Sequence, residues 1–114
     1  MFHRREYYYH YTTREARRFI FREGIIKAGR FGSVYLSPVR YHDARTAMEE
    51  LGIVDKVVEC GILIRGDLIP EGVAESTIDR VVDPNTGQIL RRGGGLEIVL
   101  DNDLLLPIST FGLP

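Results

Sequence analysis

The sequence predicts an α+β domain, on three observations. Two short amphipathic helical patterns lie in its first half, most strand-like segments lie in its second half, and no strand–helix–strand crossover repeats. A length of 114 residues suits a single domain, residues 1–114, with a core of ordinary size. With 44% hydrophobic and 27% charged residues the composition is that of a folded globular chain, not of a disordered, collagen-like or disulfide-dense one.

The elements follow in order. Residues 6–11 form a tyrosine-rich run with strand propensity, and His10 stands near its end. Thr12 reads as a helix N-cap, with Glu15 three residues on completing a capping box. Ala16, Phe19 and Ile20 then share one face until Gly24 stops the helix. The glycines of residues 24–32 predict a short extended piece and a loop, and residues 33–37 resume as a strand closed by Pro38. Ala44, Ala47, Met48 and Leu51 recur at helical spacing before Gly52, which predicts a second helix.

Residues 57–65 alternate, with Val58, Cys60, Ile62 and Ile64 on one face of a strand. Further strands are predicted at 76–82, 88–91 and 96–100, the first two joined through Pro84-Asn85-Thr86-Gly87 as a hairpin. Gly93-Gly94-Gly95 has no helix start behind it, so it reads as a mobile hairpin loop and not as a phosphate cradle.

Several function classes are disfavoured. The single cysteine, Cys60, makes no internal disulfide, and three scattered histidines give no zinc spacing, so no metal site is expected. No apolar run approaches the roughly 18 residues of a membrane span, and the N-terminus lacks a signal-peptide pattern. The expectation is a cytoplasmic domain without membrane contact, and delivery to the cytoplasm by a secretion machine is equally compatible. P-loop, Rossmann, HExxH and GxSxG signatures are absent.

Charge is unevenly spread: residues 1–46 carry +6 and residues 47–114 carry −7. This suits either a bound anion or mutual attraction of the two halves in the fold. Arg14, Arg17, Arg18 and Arg22 spread around the first helix and read as a solvated face, not a nucleic-acid stripe. His3 and His42 have no context that assigns them a role.

Three polar residues at predicted strands remain: His10, Tyr35 and Glu97. Their surroundings resemble the ADP-ribosyltransferase superfamily, in the His-Tyr-acidic branch that includes poly(ADP-ribose) polymerases and small bacterial toxin domains. Tyr9-His10-Tyr11-Thr12, a helix and Gly24-Ile25-Ile26 resemble that family's first motif. The run from Gly29 through Tyr35 to Pro38 resembles its second, and Leu96-Glu97-Ile98-Val99-Leu100 its acidic strand. The resemblance extends over nearly the whole chain, and Asp101 or Asp103 could replace Glu97 as the acidic member.

What the resemblance implies is a fold of two packed, mostly antiparallel sheets with two short helices around an NAD cleft. It implies NAD as substrate, with ADP-ribose passed to a macromolecular acceptor, protein or nucleic acid. Water as acceptor (an NAD glycohydrolase) and an inert binding module on the same fold are the alternatives, and a toxin would have an immunity or regulatory partner.

By the same resemblance, Glu97 meets the nicotinamide-ribose hydroxyl, Tyr35 stacks on the nicotinamide and His10 meets the adenosine ribose. The Tyr11 backbone holds the carboxamide, and Thr12 serves as N-cap or ribose contact. Arg30 and Ser37 bind pyrophosphate and carboxamide, and Tyr41 closes the second face of the ring. The chemistry suits these groups because cleaving the nicotinamide–ribose bond builds positive charge on the ribose, which a fixed carboxylate stabilises.

Overall fold

The computed structural model describes residues 5–29 and 32–106. Among these residues nine short strands and two helices form an α+β arrangement in which every strand pairing is antiparallel. Strand β1 (Tyr7–Thr12) leads into helix α1 (Arg14–Glu23) and strand β2 (Ile25–Ile26). Strand β3 (Val34–Leu36) precedes helix α2 (Ala44–Leu51), strand β4 (Cys60–Arg65) and a 3₁₀ turn at Gly66–Leu68. The rest is β5 (Ser76–Thr77), β6 (Val81–Val82), β7 (Ile89–Arg91), β8 (Leu96–Leu100) and β9 (Leu104–Leu105).

In place of two broad sheets the described residues form four small ones: β1-β4, β2-β9, β3-β8-β5 and β6-β7. One bridge joins the first to the third, with Tyr9 N–H donating to Ser37 O at 2.8 Å and Ser37 N–H donating to Tyr9 O at 2.9 Å. The core gathers Tyr8 from β1, Ile20 from α1, Ile62 and Ile64 from β4 and Ile98 from β8, all at most 4% exposed. Each such side chain contributes about 1.5–3 kcal/mol by leaving water.

Both helices have local stop signals. Gly24 and Gly52 follow them with φ of 68° and 66°, in the left-handed region that glycine enters without a Cβ penalty. Asp43 caps α2 by accepting from Thr46 N–H at 2.7 Å. At α1 the cap is Thr13, whose Oγ1 accepts from Ala16 N–H at 3.1 Å, and not Thr12. Thr12 is still paired with Cys60 in the ladder and is 3% exposed, so its backbone cannot yet leave the strand. The shift by one residue puts Ala16 where the predicted capping box needed Glu15.

Three further expectations are corrected. Strand β4 starts at Cys60 because its partner β1 ends where α1 begins; Glu59 N–H still donates to Thr12 O at 2.9 Å. The stretch 76–82 divides into β5 and β6, since β8 cannot extend toward Gly93 and Gly94, whose φ values are 73° and 94°. The glycine stretch is seated: Gly93 N–H and Gly95 N–H each donate at 3.0 Å, to Glu49 O and Glu50 O of α2. A Cβ on Gly95 would lie 2.7 Å from Tyr41 Oη and 2.8 Å from Glu50 O, so only glycine admits this approach.

The predicted hairpin stands as β6-β7. Asp83 Oδ1 accepts from Asn85 N–H at 2.8 Å within its turn. Cross-half ion pairs Arg5–Glu75 and Arg14–Glu59 accord with attraction between the two oppositely charged halves.

Candidate functional site

Beyond the Tyr9–Ser37 bridge, β1 and β3 separate. A continued antiparallel ladder would pair Tyr11 with Tyr35, and Tyr35 O would accept from Tyr11 N–H. Instead His10 Nδ1 lies 3.0 Å from Tyr35 O and takes that acceptor. Backbone direction alternates along a strand: Glu6 and Thr12 turn toward β4, where Glu6 O accepts from Gly66 N–H, and Tyr9 turns toward β3. Tyr11, paired with Gly61 on its other side, therefore turns its N–H and C=O toward β3, into the gap, with no hydrogen-bond partner there among the described residues.

A cleft of about 660 Å³ occupies this place, well within the 300–1,000 Å³ usual for small-molecule sites. Phe19, Ile20, Ile26, Val34 and Leu36 supply apolar wall. His10, Tyr11 and Thr12 of β1, Tyr35 of β3, Ser37 beyond it and Glu97 of β8 all line it. Six of the residues singled out in the sequence thus meet in one cavity, although they lie up to 87 positions apart.

His10 is held neutral. Burial lowers its pKa to about 4; the hydrogen bond to Tyr35 O opposes the shift and the nearby Lys56 charge reinforces it. Since a carbonyl only accepts, the Nδ1 carries the proton, and Nε2 keeps its lone pair as an acceptor. Glu97 makes no ion pair or side-chain hydrogen bond among the described residues, and burial pushes its carboxyl pKa up. A carboxylate so placed in a mostly apolar cleft acts on nearby charge with little water to screen it.

The other expected residues divide. Thr12 lines the cleft, but as a strand residue and not as a cap. Ser37 also lines it, and its hydroxyl is engaged within the protein, donating to Leu96 O at 2.7 Å and accepting from Val39 N–H at 3.1 Å. It fixes the end of β3 to the residue before Glu97, and one lone pair of its hydroxyl remains for a ligand. Tyr41 is not on the cleft wall: it packs edge-on against Tyr11 with ring centroids 5.5 Å apart, and its hydroxyl faces Glu50 Oε1 at 3.4 Å. Burial first, and the Glu50 carboxylate second, raise its pKa to about 12.

Of the alternative acids, Asp103 Oδ1 accepts from Ala28 N–H at 2.6 Å and Asp101 is exposed; neither lines the cleft. Arg30 lies outside the described residues. Among those residues no cluster of three His, Cys, Asp or Glu suits a metal ion, and no helix is long and apolar enough to cross a membrane.

Sequence reasoning missed Lys56. It is half-buried on the cleft wall, and burial lowers its pKa, opposed by the charges of Asp55 and Cys60. Its signal is visible in retrospect: a cation inside the otherwise largely apolar run 53–58. Comparison with protein-family models, with curated proteins and with solved structures found no match to the chain.

Proposed function

We propose that this protein is an NAD-dependent ADP-ribosyltransferase acting in the cytoplasm on a protein or nucleic-acid acceptor. The observation that carries the reading is the convergence of His10, Tyr35 and Glu97, from three separate strands, on one cleft. The finer architectural reading that goes with it is an ADP-ribosyltransferase-like fold around that cleft.

In this reading the C1′–N bond of NAD breaks, nicotinamide leaves with the bonding pair, and an acceptor lone pair closes on C1′ as the acceptor's proton passes to solvent. Glu97 stabilises the positive charge that develops on the ribose and accepts a hydrogen bond from its hydroxyl. The N–H and C=O of Tyr11, turned toward β3 and without a partner there among the described residues, match the C=O and NH₂ of a carboxamide, and any non-proline residue supplies that pair. The Tyr35 ring, 44% exposed, is available for stacking on nicotinamide. His10 Nε2 accepts from a ribose hydroxyl while Nδ1 remains tied to β3.

The test is nicotinamide release from NAD by the wild type and by Glu97→Gln, with and without cell lysate as acceptor source. Release that needs both Glu97 and lysate supports the transferase. Release without lysate identifies a glycohydrolase. No release from folded wild-type protein in either setting overturns the enzymatic reading in favour of an inert binding module.

A further inference from the structure

Lys27, Asp55, Lys56 and Glu97 line the cleft, and the two half-buried ones form no ion pair among the described residues, although the Asp55 charge favours the Lys56 ammonium. Glu97 is one; Lys56 is the other, with no carboxylate oxygen within the 4.0 Å of an ion pair among the described residues. Taking an ammonium partly out of water without a partner is unfavourable unless something supplies the missing negative charge. Lys27 also lines the cleft, but it is exposed and its ammonium lies 5.7 Å from the centre of the Phe19 ring. His10 gives no positive charge, because its imidazole is neutral and its one N–H is directed to Tyr35 O.

Among the described residues, Lys56 is therefore the half-buried cation that this wall offers a ligand. Glu97 favours a hydroxyl-bearing or cationic group, so the pair calls for a ligand anionic in one part and neutral or cationic in another. We infer that Lys56 is the phosphate-binding residue of this cleft, pairing its ammonium with the anionic phosphate oxygens of a nucleotide ligand. The inference rests on the NAD reading for its natural ligand, in which those oxygens belong to the pyrophosphate. The bound anion completes Lys56 as no side chain of the described protein does.

The chain has two lysines, Lys27 and Lys56, so methylation with ¹³C-formaldehyde, which keeps the charge, gives two lysine signals that a Lys56→Gln variant assigns. Inorganic pyrophosphate is expected to move the Lys56 signal and leave that of Lys27 in place. By calorimetry on unmethylated protein, Lys56→Gln is expected to weaken pyrophosphate and ADP-ribose binding about tenfold or more. Nicotinamide riboside, which lacks phosphate, should bind both proteins equally, and Lys56→Arg should restore most of the loss.

An unmoved Lys56 signal, or pyrophosphate and ADP-ribose affinities unchanged in a folded Lys56→Gln variant, would overturn the assignment even if NAD is cleaved. Conversely, Lys56-dependent pyrophosphate binding in a protein that releases no nicotinamide would keep the phosphate site and remove the NAD reading.

Discussion

Replacing His10 by asparagine tests the electrostatic account of the site through folding stability, independently of turnover. The histidine pKa falls from 6.5 to about 4 in the folded protein because burial disfavours the imidazolium. A depressed pKa means that the unfolded chain binds the proton more readily than the folded one. The stability His10 contributes is therefore fully present above pH 6.5 and is lost as pH falls through its folded value. At about 1.36 kcal/mol per pKa unit, the loss relative to neutral pH reaches about 2 kcal/mol near pH 5 and about 3 kcal/mol near pH 4.

His10→Asn keeps a donor where Nδ1 bonds Tyr35 O and removes the titration. Urea denaturation of both proteins from neutral pH downward gives the wild-type-minus-variant difference. Taking that difference also cancels Glu97, which works in the opposite direction. The variant should gain about 2 kcal/mol on the wild type between neutral pH and about pH 5. A difference that stays level over this interval would refute a neutral, desolvated His10.

The remaining predictions concern neighbouring positions. Glu97→Gln should raise stability at neutral pH, because a carboxyl with a raised folded pKa loses its stabilising contribution as pH rises; the gain should fade below pH 4.5 in the same urea experiment. Thr13→Ala should cost about 1 kcal/mol through the lost α1 cap, whereas Glu15→Gln should change denaturation by under about 0.5 kcal/mol. Ser37→Ala should cost about 1–3 kcal/mol by leaving Leu96 O and Val39 N–H without their partner; nicotinamide release should fall through displaced Glu97, with an unchanged pH profile.

What the sequence determines alone is what chemistry within a few residues decides. Gly52 ends α2 where the sequence predicts because a left-handed stop acts over a single turn. The alternation of Val58, Ile62 and Ile64 is legible because a strand turns successive side chains to opposite faces, and all three are at most 4% exposed. His10, Tyr35 and Glu97 were legible through local motifs, each recognisable without its partners in space.

The tertiary structure decided whatever depends on a distant partner. Thr12 loses the cap to Thr13 because Cys60, 48 positions away, keeps it in a ladder. The stretch 76–82 breaks where β8 stops being available, and the glycines that stop it are seated against backbone carbonyls of α2. Ser37 serves the fold because Leu96 O lies within reach, and Tyr41 is held off the cleft wall by Tyr11 and Glu50. Lys56 becomes a half-buried cation on the cleft wall, without an ion pair among the described residues, only in the folded chain. Hydrogen-bond partnership and desolvation depend on what lies across space, which a chain specifies only by folding.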